Sequence, residues 1–165
     1  MCGPEARFLC DEMLGRVTRY LRAAGYDTLL ARHGLPDRAW LALAQRERRT
    51  FLTCDRAIRE HRAAAGIALV LARGDLDAAA RTLALCCGVD WLRAPFTRCL
   101  VDNTPLGRVP DALAAAVPAD VAAGNARWCR DCGRTYWAGS HYRRMHARLA
   151  AWSDSARDSP RARAQ

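Results

Sequence analysis

Lysine is absent. All 26 basic residues of this 165-residue chain are arginine, so in an alanine-rich sequence part of their number reflects G+C-rich coding, and their distribution says more than their count. No apolar run approaches the roughly 20 residues that a membrane-spanning helix needs. The N-terminus has no charged start followed by an apolar leader core. These absences lead us to expect a cytoplasmic protein with no membrane contact, its eight cysteines held as thiols.

The charge is unevenly placed. The formal net charge is +9, which favours a polyanionic partner. Residues 1–92 hold 14 arginines against 11 acids, and residues 93–165 hold 12 against 6. Two thirds of the net charge therefore falls in the smaller, C-terminal part. From Arg127 to Arg148 six arginines face one acid, Asp131, with Trp128, Tyr136, Trp137, His141 and Tyr142 interleaved. Guanidinium groups beside planar rings can grip phosphate and stack on unpaired bases. The same residues would also serve as a solvated face over aromatic packing, since a module this small needs large side chains to pack at all.

Two half-motifs bracket this region: Cys99-Leu100-Val101-Asp102 and Cys129-Arg130-Asp131-Cys132-Gly133. Ligands three residues apart let a tight turn aim both side chains at one ion, and two such turns make a tetrahedral zinc site. Cys99, Asp102, Cys129 and Cys132 are the expected ligands. A carboxylate is harder than thiolate, so the residue types allow either a weaker zinc site or a relic of one. The remaining cysteines read as ordinary small packing residues.

The first ninety residues alternate short apolar runs with helical patterns. The runs at Arg7–Cys10, Tyr26–Ala31, Thr50–Thr53 and Ile67–Ala72 read as strands. Leu14–Ala24, Asp37–Arg48, Arg56–Ala65 and Leu76–Cys87 read as helices, with Gly25 and Gly88 as stops. Such alternation predicts an α/β fold with a parallel sheet flanked by helices. The organisation we expect is a sheet domain over 1–92, a small zinc ribbon over 93–150, and a disordered basic tail over 151–165. The alanine-rich segment from Asp111 to Gly124 reads as a short helix or an inserted loop.

Ligands of open parallel sheets bind at the carboxyl ends of the strands. Asp11 follows the first strand, Asp55 follows the third, and Asp37 opens the helix before the third. Three carboxylates at that edge would suit Mg²⁺ or Mn²⁺, which activates water and neutralises phosphate charge. Each acid also stands where a helix N-cap is expected, and position alone allows either role. Arg16, Arg19 and Arg22 recur every third residue along the first helix, as a phosphate-tracking row or a solvated face. Arg56 beside Asp55 would clamp a phosphate or pair with Asp55 or Asp11.

Together these residues resemble a known family. Phe8-Leu-Cys-Asp11-Glu-Met-Leu-Gly-Arg16, Arg19-Tyr-Leu-Arg22-Ala-Ala-Gly25-Tyr-Asp27-Thr28, Asp37-Arg-Ala-Trp-Leu-Ala-Leu-Ala44 and Leu52-Thr53-Cys54-Asp55-Arg56 look like the Mut-seven C-terminal RNase domain family. The ending Cys129-x-x-Cys132-Gly-Arg-x-Tyr136-Trp137-x-Gly139-Ser140-His141-Tyr-Arg-Arg-Met145 is similar to its ribbon, and the likeness covers roughly residues 6–149. The resemblance implies a PIN-like nuclease domain fused to a zinc ribbon, acting on RNA. Asp11, Asp37 and Asp55 would be its catalytic metal-binding acids. Arg16, Arg19, Arg56, His141, Arg143 and Arg144 would be its RNA contacts. Two positions depart from the pattern: Cys54 stands where the family usually has arginine, and Asp102 where the ribbon's second cysteine belongs. The expected function is a metal-dependent ribonuclease. The alternatives are an RNA-binding protein that keeps the fold without turnover and a toxin-like module held by a protein inhibitor, against which the fused ribbon argues.

Overall fold

Every strand of the sheet is apolar on both faces, and that is why helices cover both. In β1 (Arg7–Cys10) Phe8 and Cys10 join one core and Leu9 the other. In β3 (Thr50–Thr53) Leu52 joins the first and Phe51 the second. Strands buried on both faces belong to parallel sheets, and this one has the order β2-β1-β3-β4, every pair parallel. The outer strands are β2 (Asp27–Leu30) and β4 (Ala68–Val70). The computed structural model describes residues 6–32, 34–118, 121 and 125–157. Among them no helix is long and apolar enough to cross a membrane.

The crossovers divide between the faces. Helix α1 (Gly15–Ala23) sends Val17 and Leu21 into the core that contains Phe8. Helix α2 (Asp37–Arg46) sends Leu41 and Ala44 into the core around Leu9 and Phe51. Between β3 and β4 the expected helix over 56–65 is replaced by two short 3-10 turns, Ala57–Glu60 and Arg62–Ala64. His61 stays extended between them, at ψ 116°. The break lets Ile58 and Ala64 both reach the second core, which outweighs helix propensity in so short a segment. Helix α3 (Leu76–Cys87) starts as its sequence suggests, with the Asp75 carboxylate accepting from the Ala78 N–H at 2.8 Å. It ends at Gly88, whose φ of +65° is left-handed.

The C-terminal module begins with a three-stranded antiparallel sheet, ordered β5 (Gly107–Arg108), β6 (Arg127–Trp128), β7 (Thr135–Tyr136). Gly25 sets how α1 meets the segment leading into it. Its φ is +93°, and a Cβ there would lie 2.5 Å from the Ala94 carbonyl oxygen. The alanine-rich segment forms a 3-10 helix over Asp111–Ala116, and residues 119–120 and 122–124 of the same segment lie outside the described residues.

Helix α4 (Ser140–Arg157) corrects the expectation of a disordered tail from residue 151. Met145, Leu149 and Trp152 belong to the same core as Phe8, Leu83 and Trp91. The Trp152 ring lies 4.9 Å from Trp91 and 4.8 Å from Tyr20, and its indole N–H donates to Asp77 at 2.7 Å. One large apolar side chain within a polar stretch is enough to carry the helix onward, because burying it outweighs the surrounding Ser and Asp. Residues 158–165 of the expected tail lie outside the described residues.

Candidate functional site

Strand order fixes where the sheet opens. The chain leaves β1 for β2 on one side and returns past β1 to β3 on the other, so the topological switch point lies between the carboxyl ends of β1 and β3. Asp11 and Asp55 stand there. The Thr53 hydroxyl donates to Asp11 Oδ2 at 2.8 Å and accepts from the Asp55 N–H at 3.0 Å. Thr53 is buried, so the two acids are held at fixed points on a rigid floor. Helix capping does not explain Asp11. Asp11 precedes a 3-10 turn (Glu12–Leu14) without a side-chain cap, while Asp55 accepts from the Ala57 N–H at 2.9 Å.

Asp37 lies on the exposed first turn of α2, preceded by Pro36 at the cap position. It makes no hydrogen bond to Asp11 or Asp55, and the three acids do not gather as closely as the cysteine cluster described below. Arg16, Arg19 and Arg56 are exposed and have no ion-pair partner among the described residues, so Arg56 neutralises neither Asp55 nor Asp11. Arg16 borders a small hollow of about 100 Å³ with Cys54, Arg73 and Asp75. Burial and the nearby Asp11 carboxylate push the Cys54 thiol up, and Arg73 opposes them. Arg73 is a cation of this edge that the sequence reading missed. It follows the fourth strand as Asp55 follows the third, and that position was the available signal.

Arg22 departs from the expected row. It is 5% exposed, and its guanidinium donates to the carbonyls of Thr28 at 2.9 Å, Leu100 at 3.2 Å and Val101 at 2.7 Å. It ties α1 and β2 to the first knuckle. Asn103 does the same from the other side: its Nδ2 donates to Asp27 Oδ1 at 2.7 Å and its Oδ1 accepts from the Thr28 N–H at 2.9 Å. Asp27 also accepts from Arg7 at 2.9 Å and from the buried Arg49 at 2.8 Å. Partial burial pushes the Asp27 carboxyl up, but hydrogen bonds from Arg49, Asn103 and Arg7 prevail and hold it well below the usual carboxylate range.

The two knuckles share one backbone form. The Asn103 N–H donates to the Cys99 carbonyl at 3.1 Å, and the Gly133 N–H to the Cys129 carbonyl at 2.9 Å. The Cys99 N–H donates to the Thr104 carbonyl at 2.8 Å, and the Cys129 N–H to the Arg134 carbonyl at 2.9 Å. Asn103 and Gly133 have φ of +77° and +71°. This position demands left-handed backbone, which Gly adopts freely and Asn tolerates best among the rest. Aligning Cys-x-x-Asp-Asn with Cys-x-x-Cys-Gly would have revealed the role of Asn103 from sequence.

The four ligand atoms of Cys99, Asp102, Cys129 and Cys132 lie within 4.8 Å of one another, the one such group of three or more among the described residues. Cys99 Sγ is 3.6 Å from Cys132 Sγ, and Cys129 Sγ is 3.3 Å from Asp102 Oδ2. A zinc tetrahedron built on its usual bond lengths has S···S edges of about 3.8 Å and S···O edges of about 3.5 Å. The donor set therefore fits a four-coordinate metal ion such as zinc. Desolvation opposes ionisation of Asp102, but the Thr104 N–H at 3.0 Å and the surrounding thiols hold its carboxyl well below the ordinary value. Desolvation and the shared Asp102 carboxylate push the Cys129 and Cys132 thiols up, a conflict that a bound cation resolves. The Thr104 hydroxyl donates to Asp131 and staples one knuckle to the other. The Tyr136 hydroxyl sits 3.1 Å from Cys99 Sγ.

His141, Arg143 and Arg144 lie at the start of α4, all exposed. His141 borders a groove of about 580 Å³ with Phe96, Tyr136, Trp137 and Tyr142. Arg143 donates to the Ala138 carbonyl at 3.0 Å. The structure thus separates the candidate residues: Asp11, Asp55 and Arg56 follow the strand ends with Arg16 near them, Asp37 and Arg19 stand on α2 and α1, and His141, Arg143 and Arg144 lie on the C-terminal module.

The protein is of the α/β class, a parallel sheet with acids at its switch point joined to a two-knuckle cysteine-carboxylate cluster that could hold a metal ion. The chain belongs to the Mut7-C RNAse domain family, which matches it over residues 6–149. No curated protein and no solved structure matches it. Membership in that family carries a nuclease-type function with RNA as its substrate.

Proposed function

We propose that the chain is a metal-dependent ribonuclease that hydrolyses RNA phosphodiester bonds, with Asp11, Asp37 and Asp55 as the catalytic acids. The observation that carries this is the Asp11–Thr53–Asp55 arrangement at the switch point, where one buried hydroxyl binds the Asp11 carboxylate and the Asp55 backbone N–H. Oxygen donors of this kind suit Mg²⁺ or Mn²⁺, which when bound would acidify a water and offset phosphate charge. Asp37 would close the ligand set from the first turn of α2. Attack of the water oxygen in line on phosphorus breaks the bond to the leaving ribose oxygen. Arg16, Arg19 and Arg56 would hold the flanking phosphates, and their lack of ion-pair partners among the described residues supports that role.

The C-terminal module would hold the strand through His141, Arg143 and Arg144, with zinc on Cys99, Asp102, Cys129 and Cys132 ordering it. The seven cysteines among the described residues form no disulfide, the state that a reducing cytoplasm maintains.

Cleavage of labelled RNA by Asp11→Asn, Asp37→Asn and Asp55→Asn tests the assignment. Each variant is expected to lose cleavage while remaining folded, since losing any ligand disables water activation. Wild-type rates in two of the three would refute the catalytic set. RNA binding without metal-dependent cleavage in the unaltered chain would establish the non-catalytic alternative instead.

A further inference from the structure

The groove on the C-terminal module has aromatic walls, two of which, Trp137 and Tyr142, neither hydrophobic core uses. Phe96 and Tyr142 pack with centroids 4.2 Å apart at 37°, and His146 lies against both, 5.8 Å from Tyr142 and 6.4 Å from Phe96. Phe96 is held at φ +55°, a conformation few bulky residues adopt and one that tends to mark functional positions. Trp137 stands at the same groove with 36% of its surface exposed. A Cβ at Gly139 would come within 3.1 Å of the Trp137 indole nitrogen, so the glycine leaves room for the ring to lie over the turn. Tyr136 and Phe96 lean on the core, whereas Trp137 and Tyr142 belong to neither core cluster. Neither core therefore accounts for these two rings, although Tyr142 packs on Phe96 and His146.

The rim is cationic. Arg127 lines the groove, Arg143 is anchored beside it through the Ala138 carbonyl, and Arg144 has no ion-pair partner among the described residues. A volume of about 580 Å³ accommodates a nucleoside, lying within the roughly 300–1,000 Å³ of small-ligand clefts. An exposed indole and a half-buried phenol ring beside guanidinium groups complement a flat base attached to an anionic backbone.

We infer that this groove seats one unpaired nucleobase of an RNA strand, with Trp137 and Tyr142 as the stacking rings, so that the protein selects single-stranded over duplex RNA. Bases paired within an A-form helix keep their faces stacked and cannot enter. The inference rests on the RNA-directed reading above but does not depend on catalysis.

The test is binding of a short single-stranded oligoribonucleotide, and of a blunt duplex of equal length, to the full chain carrying Asp55→Asn. In that background Trp137→Ala and Tyr142→Leu should each weaken single-strand binding about tenfold, the size of one lost base–aromatic stack. Duplex binding should not change, and Trp137→Phe should restore single-strand affinity. The slope of log affinity against log salt should stay constant, because no phosphate contact is removed. Unchanged single-strand affinity in both variants, or an equal loss for the duplex, would overturn the proposal. An unaltered chain that does not cleave RNA while these variants still lose single-strand affinity refutes the ribonuclease reading and supports this one. A chain that cleaves while its groove variants bind normally does the reverse.

Discussion

Replacing Arg22 by Met should separate the architecture of α1 from its chemistry. Met keeps the apolar stem and removes the guanidinium that donates to Thr28, Leu100 and Val101. The bonds to Thr28 and Leu100 are buried, and a buried group left without its partner costs about 1–3 kcal/mol. The third acceptor belongs to Val101, which is 53% exposed, so water can replace that donor. Each carbonyl keeps a second lone pair, which favours the lower half of the range, and the expected loss is about 3 kcal/mol in all. Against a domain stability of about 5–15 kcal/mol that is readily measured. Urea denaturation of the full chain is the assay, with Arg19→Met as its control. Arg19 lies on the same helix but is exposed, so its loss should change stability by no more than about 0.5 kcal/mol. RNA binding should show the opposite ranking. Arg19→Met should shallow the salt slope by about 0.7 for a single strand, and Arg22→Met should not. Stability of Arg22→Met within about 0.5 kcal/mol of the unaltered chain, or a shallower slope in that variant alone, would refute the reasoning.

Three other outcomes are expected from contacts of the same kind. Because Asp27 is held below the usual carboxylate range, its contribution to stability should be fully present above the unfolded value of about 3.9 and decline as pH falls below it. The gap in urea midpoint between the unaltered chain and Asp27→Asn should therefore narrow below about pH 4, and a gap independent of pH would contradict the assignment. Asp102→Cys should hold about one zinc per chain more tightly than the unaltered protein in chelator competition, since a soft sulfur replaces an oxygen. Equal affinity would remove Asp102 from the ligand set. Trp152→Ala should lower stability by about 3–5 kcal/mol, as for other buried tryptophans, and a change below about 1 kcal/mol in thermal or urea unfolding would show that α4 does not close the core.

Much of the sheet was legible because its determinants are local. Phe8–Cys10 and Thr50–Thr53 are short apolar runs flanked by breakers, and a double-sided burial pattern follows from composition alone. Asp75 and Gly88 mark the ends of α3 through the chemistry of single residues. The two knuckles were readable for the same reason, since an x-x spacing encodes a turn. Where the reading failed, the deciding interaction lay far along the chain. Arg22 repeats the spacing of Arg16 and Arg19, and only the approach of Leu100 and Val101, some eighty positions away, converts it from a surface cation into a buried latch. Trp152 sits among serine and aspartate, and the cavity between Tyr20 and Trp91 draws it inward.

By itself, then, the sequence determined the parallel α/β class, the ligand types of the knuckles and the acids available at the strand ends, because each depends on neighbours within a few residues. Tertiary structure alone decided that Thr53 would bind Asp11 and Asp55 into one unit, that Asn103 would lock onto Asp27, and that Phe96, Trp137 and Tyr142 would border one groove. Those arrangements join segments brought together only when strands pair and cores close, and no local periodicity records a contact whose partners are set by the packing of the whole chain.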